Sequence, residues 1–539
     1  MQDRQATTWW RLVEDRAAAS PDTIMFRDDI GRALTFAEFA GRAERVAAAL
    51  RDQGVGADTT VSWQLPTCAE AVVLLAALAR LGAVQNPVIP ILRDAEVGTI
   101  LREVRPDLLV VPARWRGFDH EAMAYRLLDG AITDGAPGAA GGANTQVGAN
   151  TQVLVCDIPA ASAPDRFALP EGSASAAWPA ADRDPGDLAW LYYSSGSTGA
   201  PKGIRHTDAS ITASSNAIVA NMGLTGDDVY ALPFPVTHIG GVAMLTAQLR
   251  AGFTMLLCSS FEPMATSRFL ADNGVTILSS AAPFFYGFLA AQAAHGDEPL
   301  FPRLRFSGNG GAPMPPEVSR QVIAQLGGSG VVSGWGLTEC PMATFASPDD
   351  PEEAMLETNG RAAPGVTIKV TDPATERECA PGEEGELRLK GPQLFGGYLD
   401  ESLNADAFDS AGFFRSGDLG TVDSGGYVRV TGRLKDIILR NAENISAVEI
   451  ENILIEYPGV EDVTVIGLPD ARTGERCCAI VVMAPGAPPV TLADLAVHCK
   501  EHGLASYKMP EQLEVMDVLP RNAMGKVLKH ELRRQLREA

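Results

Sequence analysis

Residues 191–203 read LYYSSGSTGAPKG. A β-type run, Leu188–Tyr193, empties into hydroxyl residues, three glycines and one lysine. Glycines let backbone N–H groups turn toward an anion, hydroxyls add donors, and Lys202 adds a positive charge. The loop is not a Walker A motif. Counting from Gly196, the G-x-x-x-x-G-K-[ST] template requires glycine at 201, where Pro201 stands. A strand running into an anion-binding loop is a unit of α/β architecture, whereas a solvent loop of the same composition carries no such meaning. The neighbouring segments decide between them.

Around this stretch, short apolar runs alternate with longer helix-like ones. The strands expected are Thr60–Leu65, Leu108–Val111, Val153–Cys156, Leu188–Tyr193, Thr254–Cys258, Thr276–Ser279 and Val331–Ser333. Helical patterns such as Cys68–Leu81, Asp208–Asn221 and Glu262–Asn273 lie between them. That alternation predicts an α/β fold with layered, largely parallel sheets. From Thr367 the texture changes to short strands (Thr367–Thr371, Glu386–Lys390, Tyr427–Thr431) separated by Gly/Pro turns, as in a small antiparallel, barrel-like sheet. After Asp436 comes a small α+β unit. It has an acidic helix at Ala447–Ile455, strands at Asp462–Ile466 and Cys478–Met483, a helix near Thr491–Glu501 and a last helix from Val527. Residues 130–187 are rich in Ala, Gly, Pro, Ser and Asp, and GANTQV occurs twice in a row at 142–153, which reads as a surface insertion.

The chain has 539 residues, with Lys+Arg 44 against Asp+Glu 67 and a net charge of −23. That length requires more than one core. The acidic excess disfavours a nucleic-acid partner, because duplex and single-strand binding both rest on excess Lys and Arg. The segment from Ile437 onward contributes only −4, so −19 belongs to residues 1–436. Phosphate chemistry in such a body must use a few local cations and backbone amides. The longest apolar run, Ala71–Ala79, is too short for a membrane helix, which needs ~20 residues. No secretory leader is visible, and eight cysteines without a CxxC pattern read as reduced core thiols, so a cytoplasmic location is expected.

Further segments follow the phosphate loop in a fixed order: FPVTHIGG (234–241), GNGGAP (308–313), GWGLTE (334–339), RSGDL (415–419), GRLKD (432–436) and PRNAMGKVLK (520–529). This ordered set resembles the adenylate-forming (AMP-binding) superfamily, and within it the acyl-CoA synthetases. The segment Ser62–Glu96 looks closest to medium-chain and cyclohexanecarboxylate-CoA ligases. The resemblance implies an N-terminal adenylation domain over residues 1–433, a hinge at 434–436 and a mobile C-terminal lid over 437–539.

The implied reaction joins a carboxylate to ATP as an acyl-adenylate with release of pyrophosphate, after which a thiol displaces AMP. By this resemblance Ser194, Ser195, Gly196, Ser197, Thr198, Gly199 and Lys202 hold the phosphates. Glu339 binds Mg²⁺, a hard ion suited to oxygen ligands, with Thr338 beside it. Gly310, Gly311, Ala312 and Pro313 face adenine, and Trp335, between Gly334 and Gly336, stacks on it. Asp418 takes the ribose hydroxyls, Arg433 reaches ribose or phosphate, and Lys435 marks the hinge. Lys526 is the catalytic cation for the first half-reaction; the bland alternative is a solvated lysine on a basic terminal helix. His238 closes the acyl pocket, whose wall is SAAPFFY (280–286). Asn441-Ala442-Glu443-Asn444 occupies the place of the family's Gly-Gly-Glu-Asn, so Ala442 replaces a glycine of the thiol channel and Glu443 follows it.

The function expected is therefore an AMP-forming acyl-CoA synthetase of fatty-acid metabolism acting on a small or medium apolar carboxylic acid, with ATP, Mg²⁺ and coenzyme A. No carrier domain follows within the chain, which favours a free thiol. The alternatives are an acyl-AMP ligase that loads a separate carrier protein, and a non-catalytic nucleotide-binding scaffold. The identity of the acid and the oligomeric state, a homodimer included, stay open.

Overall fold

The computed structural model describes residues 7–129, 150–163, 165–173, 179–195, 201–311, 314–440, 443–470, 472–522 and 525–538. Two sheets organise the first half of the chain. A nine-stranded sheet has the strand order 361–362, 340–345, 331–337, 306–309, 277–280, 229–232, 254–257, 24–28, 33–35. Its six central strands are parallel and its edges antiparallel. A six-stranded sheet has the order 201–207, 188–195, 84–87, 60–63, 108–112, 152–156, all parallel except the first pair.

One core joins the two sheets. Helices Ala69–Leu81, Asp208–Met222 and Ile239–Ala251 contribute to the same apolar cluster as Val61, Trp63 and Trp190 from one sheet and Phe26, Tyr230 and Met255 from the other. A helix between two sheets has no solvent face. Accordingly Ala69–Leu81 is apolar nearly all round and all but one of its residues are buried. The first helix, Trp9–Ala19, is pinned into this core by Asp208, which accepts from the Trp9 backbone N–H and the Trp190 indole, each at 2.9 Å.

A four-stranded antiparallel sheet (367–371, 385–390, 414–422, 428–433) follows. A short 3₁₀ turn, Leu434–Asp436, then leads into the small unit. Its sheet orders strands 443–446, 437–440, 474–483 and 460–470, with 512–515 added parallel to 474–483.

Several expectations shift at their edges. The last helix begins at Lys529, not Val527, because Val527 forms a bridge with Arg521 and the Leu528 N–H is taken by the Pro520 carbonyl. Strand Val84–Pro87 was not expected, since its Gln85 and Asn86 look like loop residues. Both are buried, with side-chain amides bonded to the Leu75 and Leu191 carbonyls. The first GANTQV copy lies outside the described residues. The second is not wholly an insertion: Gln152 and Val153 open the edge strand Gln152–Cys156.

The N-terminal hairpin is clamped by a buried ion cluster. Arg32 binds Glu70 with both amino groups, at 2.6 and 2.8 Å, and Asp28 through Nε at 2.7 Å. Glu70 is fully buried. Glu70→Ala leaves a guanidinium in a dry site and is expected to destabilise the protein by about 3 kcal/mol, read from the shift of its urea unfolding transition.

Candidate active site

The described ends of the stretch quoted above lie on two facing strands. Strands Leu188–Ser195 and Pro201–Thr207 pair antiparallel with Lys202 opposite Ser194. Gly196, Ser197, Thr198 and Gly199, and the Ser195 side chain, lie outside the described residues. His206, on the same strand as Lys202, is buried and ties this hairpin to the next one. Its Nε2–H donates to the Thr338 carbonyl at 2.7 Å, and Nδ1 accepts from the Ser210 hydroxyl at 2.9 Å. Burial lowers its pKa to about 4.

That second hairpin, Val331–Leu337 with Cys340–Phe345, presents Trp335, Thr338 and Glu339. Its strands come so close at Gly336 that a Cβ there would stand 2.5 Å from the Pro341 carbonyl oxygen, so no side chain fits. Gly334 belongs to the same crowded strand. The Glu339 carboxylate is buried and accepts a hydrogen bond from the Tyr398 hydroxyl at 2.8 Å. Burial pushes its pKa up, opposed by that hydrogen bond and by the charges of Lys202 and Arg433. Lys202 Nζ lies 5.2 Å from the centre of the Tyr398 ring.

Asp418 gathers a third group. It sits opposite Arg433 in the antiparallel pair 414–422/428–433. Arg433 Nε forms an ion pair with Oδ1 at 2.8 Å, and the Trp335 indole N–H donates to Oδ2 at 2.8 Å. Each carboxylate oxygen has a second acceptor site, so two further donors can still be taken. Lys526 enters this cluster from the small unit. Burial and the neighbouring Arg433 lower its pKa to about 7, with Lys435 acting in the same direction and Asp418 and Asp436 against it. Burial, and then Arg433, also lowers the pKa of Lys435. The backbone around Lys526 is held by Asn522, whose side-chain oxygen accepts from the Lys526 N–H at 2.9 Å. The preceding Gly525 has φ +75°, and a Cβ on it would stand 2.7 Å from Pro283 at the start of helix Ala282–His295. The small unit thus touches the segment predicted to wall the acyl pocket.

Within that segment Phe284 packs edge-on against Phe261, centroids 4.9 Å apart, and Phe285 is buried, while Tyr286 is exposed. Phe288, one turn further on, closes the same aromatic group. His238 caps helix Ile239–Ala251, its Nδ1 accepting from the Gly240 N–H at 3.1 Å, and burial lowers its pKa to about 4. Gly310 and Gly311 follow strand Phe306–Asn309; Ala312 and Pro313 lie outside the described residues, as do Ala442 and the Glu443 side chain. A small cavity of about 20 Å³ lies beside His238, lined by Val88, Ile89, Leu92, Tyr192, Thr237 and Thr338 among others. The Tyr192 and Thr237 hydroxyls are buried without a partner among the described residues.

The structure therefore brings Lys202, Glu339, Trp335, Asp418, Arg433, Lys435 and Lys526 to one cleft, and sets His238 on a neighbouring helix end. Sequence reading missed Tyr398 and His206. Each acts through a cross-strand or side-chain contact that leaves no local pattern. Among the described residues no group of three His, Cys, Asp or Glu side chains is gathered for a metal. Glu339 is thus a single carboxylate, which fits Mg²⁺, an ion that keeps several waters and is bound through one or two carboxylates plus phosphate oxygens.

Comparison with known proteins places this geometry. The AMP-binding enzyme family matches residues 13–399, and the AMP-binding enzyme C-terminal domain matches residues 449–526. The medium-chain fatty-acid–CoA ligase of Escherichia coli (strain K12) is 31% identical over 99% of this chain and 91% of that protein. The salicyl-AMP ligase / salicyl-S-ArCP synthetase of Mycobacterium tuberculosis is 33% identical over 97% of this chain and 90% of that protein. ATP-bound MatB from Rhodopseudomonas palustris superposes with a TM-score of 0.84 at 28% identity, covering 99% of both chains. The apo form of MatB gives 0.73, at 28% identity and 98% of both chains.

The two buried rings make a test of the site's electrostatics. His206 and His238, with pKa values of about 4 against the usual 6.5, are neutral at pH 7. The unfolded chain takes up their protons between pH 6.5 and 4 while the folded chain does not, so their contribution to stability falls as pH falls through that window. Histidine-selective NMR is expected to show both rings uncharged down to about pH 5; a midpoint near 6.5 for either contradicts its burial.

Proposed function

The chain belongs to the AMP-binding enzyme family and is an AMP-forming ligase, and on that premise we propose that it is an acyl-CoA synthetase for a small or medium apolar carboxylic acid. The observation that carries this reading is the convergence of Lys526, from the small unit, on the Asp418–Arg433 pair of the large one.

In this reading ATP lies across the cleft. Ser194 and Lys202 flank the loop that receives the β- and γ-phosphates, and Asp418 takes the ribose hydroxyls while Trp335 borders the adenine site. Mg²⁺, when bound through Glu339, neutralises charge on the triphosphate. A carboxylate oxygen of the acid attacks the α-phosphorus, the bond to pyrophosphate breaks, and pyrophosphate leaves. Two anions meet in that step, so a cation placed at the reacting oxygens stabilises charge that builds in the transition state. Lys526 supplies it. The better match to ATP-bound than to apo MatB supports a cleft arranged for adenylation.

The thiol then attacks the acyl carbonyl carbon and AMP leaves with the bonding electrons. Domains are assigned as 1–433 and 437–539 about a hinge at 434–436, and rotation there withdraws Lys526 for the second step. The aromatic group of Phe261, Phe284 and Phe288 supports an apolar acyl group. The likeness to the mycobacterial ligase favours one other reading, transfer to a carrier-bound thiol.

Lys526→Ala is expected to abolish carboxylate-dependent pyrophosphate exchange while leaving thioester formation from supplied acyl-adenylate largely intact. Equal loss in both half-reactions contradicts its role. Incubation with ATP, a panel of linear, branched and alicyclic acids and free coenzyme A should yield an acyl-CoA, and exchange without any thioester selects the carrier reading. A donor–acceptor dye pair across the hinge reports closure. Lys526 titrates near 7 when closed and 10.5 when exposed, so closure releases a proton and the nucleotide-free closed fraction should rise from pH 7 to 10. Lys526→Met should flatten that profile.

A further inference from the structure

We propose that Tyr398 is a positioning residue for both charged groups of the phosphate site: its hydroxyl turns Glu339 toward a divalent ion, and its ring keeps Lys202 from closing onto the same carboxylate. The proposal rests on the reading of Glu339 as the magnesium carboxylate.

Lys202 and Glu339 carry opposite charges and lie near enough for each to act on the other. A lysine on a flexible stem beside a buried carboxylate would ordinarily form an ion pair, and the pair would use up both groups before any ligand arrived. No such pair forms among the described residues. Tyr398 stands between them. Its hydroxyl donates to Oε1 of Glu339 at 2.8 Å, and its ring face takes the ammonium at 5.2 Å. Besides this hydroxyl only the residue's own backbone N–H acts as a donor to the carboxylate, so no other side chain among the described residues competes with a cation for it.

The placement of Tyr398 is fixed from several directions. Its segment pairs with the strand that carries Lys202, through the Ile204–Tyr398 bridge, Leu399 N–H to the Gly203 carbonyl at 2.8 Å and Gly396 N–H to the Arg205 carbonyl at 2.7 Å. The same segment holds the other partner: the Phe395 N–H donates to the Glu339 carbonyl at 2.9 Å. Asn404 accepts from the Tyr398 N–H at 2.8 Å, and the ring packs edge-on against Phe395, centroids 4.9 Å apart. Gly203, which closes the phosphate-loop motif, is explained by this packing: a Cβ there would stand 2.9 Å from the Leu399 Cβ. A phenylalanine at 398 would fill the core equally well. The phenol is needed only for what its oxygen touches.

The test is Mn²⁺ binding to the full-length protein with a non-hydrolysable ATP analogue, followed by electron paramagnetic resonance. Tyr398→Phe should weaken Mn²⁺ by about tenfold, as loss of a group that orients a metal ligand does. Asn404→Ala, which loosens Tyr398 from outside the site, should give a smaller loss in the same direction. In exchange assays Tyr398→Phe should raise the Mg²⁺ needed for half-maximal rate while kcat at saturating Mg²⁺ changes little. Against a Glu339→Gln background the Tyr398→Phe effect should vanish, because the two act as one unit. Weakened binding in Glu339→Gln with wild-type binding in Tyr398→Phe overturns the positioning role alone, as does an undiminished Tyr398→Phe effect in the double variant. Wild-type Mn²⁺ affinity in Glu339→Gln overturns the assignment of Glu339 beneath it.

Discussion

Asp418 is the charge on which the cleft depends. Three cations, Arg433, Lys435 and Lys526, come together here, and like charges at such spacing repel strongly where water is scarce. Carboxylates make the cluster tenable: Asp418 and Asp436 both act on the two lysines, and Asp418 is the one at its centre. It binds Arg433 directly, favours Lys526 through space, and is held by the Trp335 indole. Cations outnumber carboxylates in this cluster, which suits the anionic ligand proposed for it. Burial first, and Arg433 after it, lowers the pKa values of Lys435 and Lys526.

The acidity of the whole chain belongs to the same logic. A surface carrying −19 over residues 1–436 does not attract nucleic acid. Affinity for a nucleotide must then come from groups at short range, and the fold offers a lysine opposite Ser194, an arginine on a sheet and a lysine brought in from another unit as candidates. The range of each is a few ångströms, so selectivity follows from geometry and not from field.

How much of this was legible beforehand depends on where each residue's partner lies. Lys202, Glu339, Asp418 and Lys526 stand in local strings whose glycines and hydroxyls are required by the backbone itself, as Gly336 is by the Pro341 carbonyl and Gly525 by its positive φ. Such demands print themselves on neighbouring positions. Tyr398 and His206 serve atoms 59 and 132 residues away, and nothing next to them records it. The same holds for the fold. Strand Leu108–Pro112 is apolar throughout and easily seen, whereas Val84–Pro87 hides because its buried amides bond to distant carbonyls. The indole of Trp335 was read as a flat surface for a base; its N–H, bound to Asp418, has a second task that composition could not disclose.

The contact of Gly525 with Pro283 has a bearing on redesign. The first turn of helix Ala282–His295 has two clients: its Phe284 joins the aromatic wall, and its Pro283 meets the tip that carries Lys526. Reshaping that turn would therefore disturb the seat of the lysine and the aromatic group together, so the two cannot be redesigned one at a time.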